Sequence, residues 1–328
     1  MFRRQLLTLA AAAAALTLPG LPAAQAQTKW DLAAAYPATN FHSVNLVSFA
    51  DEVRRLTNGR LDITVHAAAS LFKAPEIKRA VQGGQAQAGE ILLVNFQNEW
   101  QIFGADGIPF MADSYDEAAK LYRLQRPMLE RKLGEQGMML LYSVPWPPQG
   151  LFSRRPINTL ADLRGIKWRA YSPSTARIGE LIGAQSVTVQ AAELSQAMAT
   201  GVVESFITSG ATGVDSKVFE HLKFYYDVQA WLPKNAVIVN KRAFDALDAA
   251  TQQAVLTAAR NAETRGTEAS RRVTTESMAT LRANGMTVSP PSPALAAELK
   301  KIGEQLQREW IERAGAEGRD LVNAYLRP

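Results

Sequence analysis

The 328-residue chain contains no cysteine. That excludes disulfide bridges, thiolate metal sites and cysteine nucleophiles, and is compatible with an oxidising compartment without demonstrating one. Histidine is nearly as scarce. His42, His66 and His221 stand far apart, without the i, i+4 spacing by which two imidazoles on one helix face grip a metal. No Gly-x-Ser-x-Gly elbow, phosphate-cradling glycine loop or dinucleotide fingerprint occurs. Carboxylates are plentiful, but they lie on ordinary helix faces and no pair singles itself out for acid–base work. Catalysis therefore has little to build on, and no metal or cofactor is expected. Beyond the N-terminal segment, no apolar run approaches the roughly 20 residues of a membrane span. A dense Lys/Arg cluster with interleaved aromatics, the mark of a nucleic-acid binder, is also missing.

What is present begins at the N-terminus. Met1 to Leu7 carry Arg3 and Arg4 and no acid. An Ala/Leu-rich run extends from Leu6 to Leu18, Pro19-Gly20 break it, and the stretch closes on Ala24-Gln25-Ala26. A charged start, an apolar middle and a small-x-small end make a secretory signal, with cleavage expected after Ala26 and a periplasmic mature chain. The paired arginines before Gln5-Leu6-Leu7 bear some likeness to a twin-arginine signal, but the general export route is the simpler expectation. Cleavage removes two arginines and no acid, so the formal charge falls from +5 to +3, 34 basic against 31 acidic residues. So near a balance gives no reason to expect nucleic acid.

The mature length favours two lobes over one overgrown core. Trp30 to Tyr36 reads as a strand, Phe41 to Leu56 as a helix, and Leu61 to His66 as a half-buried strand by its alternation. Pro75 to Gly83 is a second helix with proline in its first turn, and Glu90 to Val94 a third strand. This order implies a parallel α/β sheet. A helix over Ser114 to Gln136 and a strand over Met138 to Ser143 lead to Pro145-Trp146-Pro147-Pro148-Gln149-Gly150, where prolines break regular structure and the chain crosses between lobes. Further strands are expected at Ile166 to Ala170 and Val202 to Thr208, with helices at Ser174 to Ile182 and Ala192 to Thr200. Asp248 to Ala283 holds no proline and reads as one helix, about 50 Å long at roughly 1.5 Å per residue, spanning both lobes and kinked at Gly266. Met286 to Val288 is an edge strand, and Ser292-Pro293 start a last helix that runs to Leu326. The expected division is lobe I over residues 27–148, with 238–284 returning to it. Lobe II covers 149–237, with 285–328 packing on it.

Recognition chemistry concentrates in Leu160-Ala-Asp162-Leu-Arg-Gly165-Ile-Lys-Trp-Arg169-Ala-Tyr-Ser-Pro173. Arg169 ends an otherwise apolar strand just before a helix, and open α/β sheets bind ligands beyond the carboxyl ends of their strands. There its fork grips a carboxylate bidentately. A surface strand arginine paired with a nearby acid fits the same pattern, and the residues alone leave both readings open.

This stretch resembles the signature of the substrate-binding proteins of tripartite ATP-independent periplasmic (TRAP) transporters, of the dicarboxylate-binding-protein type. Gly59 to Val65, Glu76 to Gly83, Gly107-Ile-Pro-Phe-Met111, Ser153 to Gly165 and Gly183-Ala184 match in consistent order along the mature chain. The resemblance implies a two-lobed α/β periplasmic-binding-protein fold that closes on its ligand, braced by a long helix spanning both lobes. It implies no enzyme activity, a small organic carboxylate as ligand and TRAP membrane permease subunits as partners, with a monomeric receptor expected. The family's carboxylate-pairing arginine falls on Arg169. Its second polar contact, usually asparagine, falls on Thr208 beside Ser209, and a position often basic in relatives falls on Gln149. With Gln149 and Thr208 uncharged, Arg169 is left as the one cation, which suits a monocarboxylate such as a 2-hydroxy, 2-oxo or aromatic acid. Trp146 is the aromatic expected to line the site, the others nearby (Trp168, Tyr171, Phe206 and Trp231) suiting lobe core better. Leu92 and Asn95 are expected to face the cleft from the third strand, and Asn40 from the first loop. A periplasmic hydrolase on a similar lobed fold, and a solute sensor for a membrane receptor, are the rival readings.

Overall fold

A computed structural model describes residues 27–327, so the expected signal segment lies outside the described residues. The first half of the chain runs β1 (Thr28–Ala33), α1 (Phe41–Leu56), β2 (Leu61–His66), α2 (Ile77–Gln82), β3 (Ala88–Leu92), α3 (Tyr115–Glu135) and β4 (Met138–Pro145). The second lobe is built from β5 (Gln149–Ser153), β6 (Lys167–Ala170), α4 (Pro173–Leu181), β7 (Gln185–Thr188), α5 (Leu194–Ala199), β8 (Ser205–Ser209), α6 (Gly210–Asp215) and β9 (Phe224–Tyr226). The chain then continues through β10 (Lys234–Asn240), α7 (Lys241–Asp245), α8 (Ala249–Ala283), β11 (Thr287–Ser289) and α9 (Pro293–Leu326).

Two sheets result, ordered β2-β1-β3-β10-β4 and β11-β9-β5-β8-β6-β7. Strand β1 is parallel to both β2 and β3, as the strand–helix alternation implies. Strand β10 then inserts antiparallel between β3 and β4. Close packing sets the first layer: a Cβ at Gly89 would stand 2.5 Å from Ile77 Cγ2 and 2.9 Å from Val81 Cγ2, so α2 lies directly on β3. Among the described residues, no helix is long and apolar enough to cross a membrane.

Four segments join the lobes, the last of them the C-terminal helix α9. Trp146 to Pro148 links β4 to β5, and residues 227–233 link β9 back to β10. These two strips bond to one another, through Trp146 N–H to Pro233 C=O (2.8 Å), Gln149 N–H to Trp231 C=O (3.0 Å) and Ala230 N–H to Gln149 C=O (2.9 Å). The third is α8, 35 residues and so about 52 Å at roughly 1.5 Å per residue. Its Val255, Ala258, Ala259 and Ala262 pack in the first-lobe core, while Leu281 joins a core of the second lobe with Phe152 and Phe206.

Several expectations shift. Residues 234–237 already belong to β10 in the first sheet, so the return to lobe I comes earlier than residue 238. The C-terminal helix does not pack on lobe II alone. Leu295, Leu299 and Leu306 do so beside Trp168, but Trp310, Leu321 and Tyr325 pack with Ile102, Met111 and Leu121 of the first lobe. Gly315 (φ 64°, ψ −137°) interrupts the helix between these two packings. Strands β7 and β9 and the short α6 and α7 escaped the sequence reading. All four residues of β7 are exposed, so no apolar alternation marks it.

Gly266 does not kink α8; it lets the helix approach its neighbours. A Cβ there would meet Val144 Cγ2 at 2.5 Å and Asn45 Nδ2 at 2.6 Å. Alanine has the better helix propensity, by about 1 kcal/mol, but overpacking costs about 1–3 kcal/mol. Gly266→Ala is therefore expected to lower the urea midpoint, and a variant as stable as wild type would show that this contact is not tight.

Candidate ligand-binding site

Between the sheets lies a small cavity of about 30 Å³. Its walls come from the ends of strands: Tyr36 after β1, Leu92 closing β3, Arg169 and Tyr171 at β6, Gln190 after β7, and Thr208 and Ser209 closing β8. The two crossing strips add Trp146, Gln149 and Pro233. This is the position expected of an α/β site, since strands deliver side chains to their carboxyl ends and the following turns leave room there.

Alternation along β6 separates its residues. Trp168 turns into the lobe core, where its indole N–H donates to Thr175 C=O (3.0 Å), and Arg169 turns the other way, into the gap. The guanidinium is 2 % exposed. Its Nε donates to Val189 C=O (2.9 Å), and its Cζ stands 5.1 Å from the Tyr171 ring centre and 5.8 Å from that of Phe206. Nη1 is buried and has no hydrogen-bond partner. Burial pushes the guanidinium down to about 10, opposed by the Tyr171 and Tyr36 phenols. It stays charged at neutral pH, with no acid of the described chain helping to hold that charge. This decides between the two readings of Arg169: it is a buried cation in the cleft, not a surface residue with an acidic neighbour.

The rest of the wall is neutral. Gln149 donates through Nε2 to Pro147 C=O (2.9 Å) and accepts from the Tyr171 hydroxyl (3.2 Å). Trp146 is fixed by its indole N–H on Asn235 Oδ1 (2.9 Å) and by Tyr36, whose ring meets it edge-on at 4.8 Å. Burial raises both the Tyr36 and Tyr171 phenols well above their ordinary range, so both remain neutral donors. Among the described residues, Arg169 is the one charged side chain lining this cavity. No histidine or carboxylate stands there to act as a general base.

Of the eight residues expected at the site, Arg169, Gln149, Thr208, Trp146, Leu92 and Ser209 line the cavity. The Ser209 hydroxyl is engaged in capping α6, where it accepts from Thr212 N–H (3.2 Å). Asn95 does not line it. The strand ends at Leu92 and a 3₁₀ turn follows, carrying Asn95 to a neighbouring hollow that shares Tyr171 and Gln190 with the site. Asn40 is also absent from the wall. Its Oδ1 caps α1 at His42 N–H (2.9 Å) and its Nδ2 donates to Asp215 across the lobe boundary. Sequence reasoning missed Tyr36, Gln190, Thr212 and Pro233, and expected Tyr171 in the core. A tyrosine ending the first strand was the one available signal; Gln190 follows a strand that periodicity does not reveal.

The profile of the bacterial extracellular solute-binding proteins, family 7, matches residues 33–313. Among solved structures, the chain is similar to DctP6, a Bordetella pertussis extracytoplasmic solute receptor binding pyroglutamic acid. The two share 55% identity with a TM-score of 0.89, over 91% of this chain and 99% of the other. DctP7 of Bordetella pertussis, also a receptor binding pyroglutamic acid, is 45% identical with a TM-score of 0.90, over 92% of this chain and 100% of the other. A TRAP solute binding protein from a marine metagenome, specific for pyroglutamate, is 44% identical with a TM-score of 0.89, over 91% and 98% of the two chains. These relatives are transport receptors, not enzymes. A matching profile over most of the chain and two-lobed relatives covered almost end to end lead to one assignment: this chain belongs to family 7 of the bacterial extracellular solute-binding proteins, the solute receptors of TRAP transporters.

Proposed function

We propose that this protein is a periplasmic receptor whose ligand is a compact monocarboxylate of the pyroglutamate class, held by an ion pair with Arg169 and delivered to TRAP permease subunits as a monomer. The observation that carries this reading is the buried, unpartnered Nη1 of Arg169 in a cavity that holds no other charge. A guanidinium in that state has its desolvation cost unbalanced, and a ligand carboxylate is the group that balances it. Neutral hydrogen-bonding groups at Gln149, Thr208, Tyr36 and Tyr171 suit a lactam N–H and C=O. A five-membered lactam acid thus shares with 2-hydroxy and 2-oxo acids one carboxylate and an adjacent neutral polar group. The relatives at 44% identity and above that bind pyroglutamate support the same choice.

Binding and closure follow from the layout. Arg169 and Thr208 stand on the second lobe, Tyr36 and Leu92 on the first, and Trp146 and Gln149 at the hinge. A ligand docked on Arg169 is covered when the lobes meet about the crossing strips. Water leaves, the local dielectric falls, and the ion pair strengthens.

Isothermal titration of the mature chain with L-pyroglutamate tests the pairing. Arg169→Ala is expected to weaken binding at least about a hundredfold, because losing one partner of a buried pair costs roughly 3–5 kcal/mol. Lysine is not expected to restore it, since an ammonium lacks the fork. Equal affinity in Arg169→Ala would end this assignment. A second measurement probes the lactam. 2-Pyrrolidinone, which has no carboxylate, is expected not to bind. Cyclopentanecarboxylate, which has no lactam, is expected to bind about ten- to a hundredfold more weakly, because buried polar groups are left unpaired. Equal binding of the carbocycle would show that the neutral wall does not read the ring. Third, ligand-free Arg169→Met is expected to melt above wild type, since it removes a buried charge without a partner. A lower melting temperature would mean that the guanidinium supports the fold itself.

A further inference from the structure

Asn40 lies outside the cavity, yet it is only 2 % exposed and its side chain is fully committed. Its Oδ1 accepts from His42 N–H (2.9 Å), which fixes the amide orientation and leaves Nδ2 to donate to Asp215 Oδ2 at 2.6 Å. The two partners belong to different lobes. Asn40 ends the loop that follows Tyr36, and Asp215 ends α6, whose first turn carries Thr212 into the cavity wall. Each half of the bond is thus a few residues from a side chain that lines the ligand site. Burial raises the Asp215 carboxyl above its usual range, while the Asn40 bond and His42 oppose that rise. His42 in turn faces Glu90 of β3 (3.3 Å), and Glu276 of α8 lines the small hollow beside Asp215. A part-buried carboxylate at the lobe boundary, with an amide aimed at it from the other side, keeps that bond only while the lobes touch, and parting them exchanges it for water.

We propose that Asn40 and Asp215 form a closure latch, positioning residues that set how long the ligand is retained without touching it. The proposal rests on the receptor reading above, and its test separates the two. With no native cysteine, the chain accepts a clean label pair at Val47→Cys on α1 and Val202→Cys before β8, both exposed (48 % and 44 %). Spin-label distances between these sites report lobe separation, and stopped-flow fluorescence with L-pyroglutamate reports dissociation. Asn40→Ser keeps a capping oxygen for α1 but lacks the reach to Asp215. Asp215→Ala removes the acceptor, and Asp215→Asn retains one. Asn40→Ser and Asp215→Ala are expected to dissociate about tenfold faster, with association unchanged and open distances appearing in the liganded state. Asp215→Asn should stay within about twofold of wild type. Unchanged dissociation in the first two variants overturns the latch, and so does an Asp215→Asn that behaves like Asp215→Ala. Should wild type take no L-pyroglutamate, the ligand class fails, and the latch is judged on the ligand-free chain: wild type samples closed distances that both variants lose, and identical distributions overturn it.

Discussion

A guanidinium without an acid is the constraint around which the cleft is arranged. Arg169 has one carbonyl at Nε, two aromatic rings in cation–π range and nothing at Nη1. Those contacts soften the loss of water without replacing it. The ring faces contribute on the order of 1 kcal/mol each, well below the several kcal/mol of effective desolvation for an ion. On the proposed reading, that deficit would penalise closure on an empty site and be relieved by closure on a carboxylate. Binding and lobe motion would thereby be coupled through this side chain, with the Asn40–Asp215 bond acting on the same closure.

For that coupling to work, the first lobe must be stiff and the boundary must be able to part. Helix α8 bears on both. On the first lobe it is tied down by Asn45, whose amide donates to Ala262 C=O (2.9 Å) and accepts from Arg265 Nε (2.9 Å). Glu263 adds a link to Arg126 of α3 and to Ser143 N–H of β4. Toward the second lobe its contacts are mixed: Ser277 stands 3.1 Å from where a Cβ of Gly210 would be, whereas Leu281 is locked into the core with Phe152 and Phe206. Small, smooth contacts slide at low cost, and interdigitated ones do not. The crossing strips are bonded to one another, and Trp146 and Gln149 belong to them.

How legible this was in the sequence depends on the scale. Arg169 stood out as a lone cation at the end of an apolar strand, but the residues alone left it between the cleft and a surface ion pair, and the family resemblance pointed to the cleft. The long helix was readable from the absence of proline over Asp248 to Ala283. The register of strand ends was not. Placing β3 over Glu90 to Val94 instead of Ala88–Leu92 shifts which side chains meet the gap, and that two-residue slip is why Asn95 was expected there. Asn40 failed for a different reason. Asparagine before a helix serves equally as a cap, a ligand contact or a partner for another lobe, and only the distant Asp215 decides among them. Tyr36 and Gln190 face each other's lobes through tertiary placement, which no period along the chain encodes.

Charge counting then constrains selectivity. A second carboxylate in this cavity would meet neutral amides and hydroxyls, and a buried anion without a cation is far costlier than a neutral group in the same place. A relative with a basic residue where Gln149 stands offers the second anion a partner. Here Gln149 is neutral, bonded once at its amide nitrogen to Pro147 and once at its oxygen by Tyr171, and offers no charge. On the proposed reading, a dicarboxylate would find no partner here for its second charge. The same logic accounts for the tyrosines. A phenol kept neutral by burial donates a hydrogen bond to a carbonyl, yet adds no charge that would compete with the ligand for Arg169.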